Sequence, residues 1–438
     1  MTLQGLLTVL TQRPEYRRLR EKLQNSEGVP ALTGITEAAR PFVVASLAIS
    51  LKQPLLLVVG DEVEALQMVE TIKSFVPNPS DVFCLPDRDA LPYERLMGDT
   101  VTTQQRLQTL IAMVERERTP LVVCSARTLT QLVIPPQELS ASLFRLQAGQ
   151  EVDLTLMLEH LYNLGYEPVT EVEEPGQFSH RGGIVDLFPP TMPRPVRVEF
   201  FGDEVDSIRT FDQETQRSLN KVEYCIIGPS REALPAHGSA IVKELTQLES
   251  KTLHSDAQER WNHDLELLRQ QRSFEDITFY LPYLHDKATI LDYLPRNGLL
   301  LLDNPASIQN RIFDLDVQAQ DIRDRLEREH ENPVHLREAY VSWNQLETQI
   351  QQRRQLRFAD ILSTAEGDFD VRQHDGTEHL IPSFYSANSY GGRLRAFVQD
   401  CRKTLDNRDR VVIVTMQARR MAEVLSDESI LHEHTIHV

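Results

Sequence analysis

Three short runs in this 438-residue chain consist almost wholly of aliphatic side chains: LLLVV at 55–59, LVVCS at 121–125 and LLLLD at 299–303. A strand with one solvated face alternates apolar and polar residues, whereas a run without alternation belongs to a strand covered on both sides. Helices are expected at 42–51, 62–75 and 102–116, with shorter strands at 29–35 and 82–85. Strands alternating with helices of this length predict a parallel sheet with both faces covered. The third run comes far along the chain, so the residues before it form an insertion into the parallel-sheet domain.

The insertion reads differently. A helix at 152–165 ends on Gly165, a natural C-cap, and β-like runs follow at 184–188, 196–201 and 205–211. Pro189, Pro190, Pro193 and Pro195 cannot continue a ladder and mark a loop. Gly202-Asp203 is a turn signal for an antiparallel hairpin. Within 196–201, Val196, Val198 and Phe200 share one face, and Arg197, Glu199 and Phe201 the other. An aromatic beside a guanidinium has the composition of an interface anchor. Edge packing of Phe201 beside a solvated Arg197–Glu199 pair accounts for these residues equally well. The small α+β domain ends near 227–229.

Length suggests about three domains, and 41% apolar with 25% charged residues is ordinary for a globular chain. The net charge of −19 disfavours direct nucleic-acid binding, because phosphate contacts need Lys and Arg, and favours protein partners. Cys84, Cys124, Cys225 and Cys401 lack metal or redox spacing, consistent with buried thiols in a reducing compartment. The N-terminal apolar run is too short to span a membrane and has Arg residues only after it; a cytoplasmic location is expected. Residues 236–272 read as polar helix, 313–331 as a solvated helix. The last hundred residues read as a small α/β unit with a strand at 411–415 and a helix at 419–425.

HRGGIVDLFPP (180–190), VRVEFFGDEVDSIRTFD (196–212) and TQRS (215–218) resemble, in order and spacing, the second domain of UvrB, and more closely that of the bacterial transcription-repair coupling factors, the Mfd family. The resemblance implies an α/β multidomain chain. A degenerate RecA/helicase-like parallel-sheet domain (1–150 and 233–345) would hold an inserted α+β domain (151–232), with a linker and third α/β domain at 346–438. It also implies a role: recruiting UvrA to stalled RNA polymerase for nucleotide excision repair. The family's UvrA-contact residues correspond to Arg181, Arg197 and Phe201, with Glu199 in support on the same strand face. Both guanidiniums would pair with carboxylates of UvrA, Phe201 would fill an apolar pocket, and Gly182-Gly183 would permit close backbone approach.

Chemistry is not expected here. Against the similar phosphate loop of UvrB, which begins at Gly34, Glu37 and Ala39 stand where glycines belong, Arg40 where the lysine belongs and Pro41 where the hydroxyl belongs. A working loop needs backbone N–H groups, a Lys and a magnesium-binding hydroxyl, and Pro41 offers neither hydroxyl nor N–H. Downstream, Asp303 sits at the acidic position of a Walker B strand, but Asn304 replaces the catalytic Glu and cannot activate water. The segment 85–107 keeps only Tyr93 where UvrB has a tyrosine-rich DNA-gripping hairpin. No catalytic residue, cofactor or metal is therefore expected in this chain. ATP and magnesium are expected in the family's motor domains, and RNA polymerase and DNA contacts in other parts likewise absent here, so the chain is read as part of a longer protein. A DNA-binding module and a residual ATPase of a UvrB/helicase-like repair protein are the alternatives.

Overall fold

The computed structural model describes residues 3–25, 29–33, 35–96, 98–115, 119–250, 252–359, 377–380, 384–385, 387–415 and 417–433. The chain opens with β1 (Val29–Thr33), β2 (Leu55–Val59), β3 (Val82–Leu85) and β4 (Leu121–Ser125). It then builds a separate body from β5 (Phe144–Gln147), β6 (Glu167–Pro168), β7 (Gln177–Arg181), β8 (Ile184–Leu187), β9 (Val196–Phe201), β10 (Glu204–Phe211), β11 (Ser218–Val222) and β12 (Tyr224–Ile227). It returns as β13 (Leu299–Asp303), β14 (Gln355–Ala359) and β15 (Thr377–Leu380).

Among the described residues the main sheet has seven strands in the order β15-β1-β14-β13-β2-β4-β3, all parallel. Leu57 of β2 stands between Leu301 of β13 and Val123 of β4. Every residue of these three strands is buried, as their unbroken apolar runs predict. Leu56 and Val58 pack into a core with Leu107, Leu110 and Tyr293 on one side. Leu55, Leu57 and Val59, of opposite parity, are no more than 1% exposed on the other.

The separate body is a six-stranded sheet, β11-β10-β9-β8-β7-β6, antiparallel except between β6 and β7, beside an antiparallel β5–β12 pair. Its helix Leu154–Asn163 starts where Asp153 accepts hydrogen bonds from the Thr155 and Leu156 amides, and Gly165 beyond its end takes φ +84°. Met157, Leu161, Val185, Val198 and Ile208 form the core between helix and sheet. One face of the sheet is covered by the helix; the other is covered at one end, where Val172, Phe188 and Phe211 form a small buried cluster, and open at residues 181–184 and 201–204. Several of these strands were not expected: QFSHR at 177–181 and SLNKV at 218–222 lack apolar alternation, and β11 is exposed over most of its length.

The two bodies are joined by a buried ionic network. Glu232, just past β12, receives Arg106 Nε at 2.6 Å and Arg88 Nη2 at 2.7 Å. Arg106, 1% exposed, also donates to Gln131 Oε1 at 2.9 Å and the Pro86 carbonyl at 2.5 Å. Burial works to raise the Glu232 pKa, but Arg106 and Arg88 outweigh it and hold the carboxyl below its usual range.

Two expectations change. The main sheet does not end at 345: Leu356 and Phe358 of β14 are buried between β13 and β1, so residues expected in the third domain complete the first. The run 313–331, most of which lies in the helix Pro305–Arg328, is not wholly solvated, because Ala319 and Ile322 within it are buried.

A second compact unit holds the described residues from 384 onward. Helices Leu394–Asp406 and Ala418–Asp427 meet through Val398, Cys401 and Leu425. Val411 and Ile413 pack against them, while Val412 and Val414 are exposed. The strand expected at 411–415 thus has the two-residue alternation but no ladder among the described residues.

Candidate functional site

Strand pairing assembles the expected surface on the free face of the smaller sheet. Gly182-Gly183 closes β7 onto β8, with Gly182 at φ +61°. A Cβ on Gly183 would stand 2.8 Å from the Phe200 carbonyl oxygen, and the Gly183 carbonyl accepts the Phe200 amide at 2.7 Å. The close approach that these glycines permit is to the domain's own β9. In register, Arg181 opposes Ile184, Ile184 opposes Glu199, and Glu199 opposes Ser207. The next outward row places Asp186, Arg197, Arg209 and Lys221 side by side.

Phe201 ends β9 beside the Gly202-Asp203 turn, where Gly202 takes φ +63°. Val196 and Val198 are fully buried, whereas Phe201 is 83% exposed. Edge packing, left open by the residues alone, does not describe such a ring. Nothing in its own domain covers it.

Arg197 is placed differently from the expectation. Its Nε and Nη2 donate to the two Asp186 carboxylate oxygens at 2.7 and 2.8 Å, a bidentate fork. Its guanidinium lies 5.0 Å from the centre of the buried Phe211 ring. The hydrogen bonds to Asp186 raise its pKa above the usual guanidinium value. Expected to reach a partner's carboxylate, it already holds one from its own sheet. Glu199 accepts the Ser207 hydroxyl at 2.5 Å and lies 3.9 Å from Arg209 Nε. Arg181 is exposed and donates to the Thr170 carbonyl. Sequence parity placed Arg197 and Phe201 on one face but missed Asp186, because the pairing of two strands cannot be read from either alone.

A second candidate region lies at the carboxyl ends of β2 and β13, where open parallel sheets bind ligands. Glu37, Arg40, Pro41, Gly60, Asp303 and Asn304 line this crevice; Gly34 lies outside the described residues. Arg40 and Asp303 form an ion pair, their side chains 9% and 10% exposed. The Gly60 amide donates to Glu64 Oε2 at 2.9 Å. Asn304, at φ +56°, caps the helix Pro305–Arg328 by accepting the Ser307 amide at 3.2 Å.

Glu138, His237 and His285 form a further cluster of the kind that ligates metals. His285 Nε2 accepts the Leu234 amide at 3.1 Å, and its Nδ1 donates to Glu138 at 2.7 Å. Both ring nitrogens are therefore occupied, and burial lowers its pKa. His237 Nδ1 donates to the Leu284 carbonyl at 3.0 Å.

Known proteins place these features. Residues 144–232 match the UvrB interaction domain family. The transcription-repair-coupling factor of Bacillus subtilis is 27% identical over 327 residues, covering 72% of this chain and 27% of its own length. That of Escherichia coli is 33% identical over 207 residues, covering 47% of this chain and 18% of its own. UvrABC system protein B of Thermosipho africanus is 27% identical over 318 residues, covering 66% of this chain and 48% of its own. The chain spans about a quarter of the length of the first coupling factors it matches. The chain is thus similar to the transcription-repair-coupling factors and to UvrABC system protein B, and its residues 144–232 match the UvrB interaction domain.

Proposed function

We propose that this chain is the recruiting part of a transcription-repair coupling factor, docking UvrA through the free face of its interaction domain without performing chemistry itself. The observation that carries this reading is Phe201, 83% exposed on the domain that matches the interaction family. A large aromatic ring costs little conformational entropy on binding and is the residue type most used as an interface anchor. Arg181, exposed on the same face two strands away, supplies the charged contact.

Lack of ATP chemistry is supported by how the crevice satisfies itself. Arg40 is paired with Asp303, and Pro41 has no N–H to offer phosphate. The Asn304 side chain is committed to a helix cap. ATP-driven translocation with magnesium, and contacts to RNA polymerase and DNA, would belong to segments outside residues 1–438. Among the described residues no helix is long and apolar enough to cross a membrane.

The test is a calorimetric titration of UvrA into the 438-residue chain and its Arg181→Glu variant. Binding is expected for the first and at least tenfold weaker binding for the second, roughly the loss of one interface charge pair. Unchanged affinity in Arg181→Glu would remove this residue from the site. ATP turnover by the purified chain would overturn the non-catalytic half of the reading.

A further inference from the structure

We propose that Ile184 is a second apolar anchor of this surface, and that Arg181, Ile184 and Phe201 together dock a protein surface offering a carboxylate next to an apolar recess. The inference rests on the reading that this face binds UvrA and specifies what UvrA must present.

Ile184 opens β8 directly after the Gly182-Gly183 turn, opposite Arg181 on one side and Glu199 on the other. Phe201 lies two residues beyond Glu199 and shares its parity, which makes it the diagonal neighbour of Ile184. Diagonal positions on one face are about 7–8 Å apart, within reach of an aromatic ring. Ile184 is 39% exposed. A lone exposed isoleucine is ordinary. This one continues an apolar strip begun by a ring exposed over most of its surface, with a guanidinium at its other end.

The charges give the strip a direction. Asp186 is taken up by Arg197, and Glu199 by Ser207 with Arg209 nearby. Beyond the phenyl ring, Glu204 is exposed and opposes Phe201 in register. A complementary partner therefore places its carboxylate over Arg181, an apolar recess over Ile184 and Phe201, and a cation near Glu204. A nucleic-acid backbone fits the strip poorly, since the strip itself carries one cation, Arg181, and in the neighbouring row Arg197 is already held by Asp186.

The experiment is titration calorimetry of UvrA with Ile184→Val, Ile184→Thr and Ile184→Asp, alongside Phe201→Ala, with thermal melts of each chain. Ile184→Val should bind within about threefold of wild type, Ile184→Thr about tenfold more weakly and Ile184→Asp about a hundredfold more weakly. If the Asp variant melts early, the Thr variant, which keeps the β-branch, decides alone. Wild-type affinity in Ile184→Thr while Phe201→Ala has lost binding would overturn the inference and leave the UvrA reading standing. Wild-type affinity in both would overturn the reading itself. Plain duplex DNA binding that Ile184→Asp abolishes would assign the face to nucleic acid and sink the proposal.

Discussion

The free face of the smaller sheet and the crevice of the main sheet differ in what each leaves available to a partner. In the crevice, Arg40, Asp303, Glu64 and Asn304 are each bonded to a neighbour. On the free face, Phe201 and Ile184 have no such neighbour, and Arg181 holds only a backbone carbonyl. The difference follows from sheet type. A parallel sheet covered on both faces can present only its strand ends, so a few mutually satisfied side chains close it. An antiparallel sheet with one core face can present part of the other, here the end that carries Arg181, Ile184 and Phe201, while Val172, Phe188 and Phe211 bury the rest. Side chains lining the crevice thus satisfy one another, whereas the exposed end of the smaller sheet is left open to solvent.

The largest effect separating the two regions should come from their junction. Glu232→Ala leaves Arg88 and Arg106 buried without a carboxylate and should cost about 3–5 kcal/mol of stability, read by urea unfolding. A loss under 1 kcal/mol would mean that the bodies are held together by something else. Phe201→Ala should weaken UvrA binding by about 2–4 kcal/mol with an unchanged melting temperature, because the ring packs on nothing. A lowered melting temperature would show that it is structural after all. Asp303→Asn should cost about 2 kcal/mol of stability by weakening a charge-assisted pair, with UvrA affinity untouched. Any change in affinity would couple the crevice to the face. The smallest effect concerns His285. Burial lowers its pKa in the fold, so the unfolded chain takes up a proton first as pH falls below about 6.5. Stability should decline from there until the folded ring protonates too, and His285→Gln should flatten that part of a melting-temperature profile.

What could be read from the sequence tracks what side-chain pattern encodes. LLLVV, LVVCS and LLLLD announced buried parallel strands because burial on both faces removes alternation altogether. The Gly202-Asp203 turn and the parity of Arg197 and Phe201 were equally legible, being local. Partners across strands were not: Asp186 meets Arg197 only through register, and Arg40 meets Asp303 across most of the chain. The run 313–331 looked solvated because its polar residues far outnumber Ala319 and Ile322, the two that are buried. Residues 411–415 read as a strand because VVIVT is a run of β-branched residues, yet such a run says nothing about what lies alongside.

The placement of the smaller sheet domain within the chain has a consequence for biogenesis. β2 is made early, but its neighbour β13 emerges only after the whole domain between them. At roughly 5–20 residues per second this delay is on the order of ten seconds or more. The smaller sheet domain, contiguous and built largely from hairpins between adjacent strands, can condense on the ribosome while LLLVV is still half of an unfinished sheet. An apolar strand exposed for that long is an aggregation hazard, so slowing or interrupting synthesis between 126 and 298 should lower soluble yield more than the same pause placed after 380.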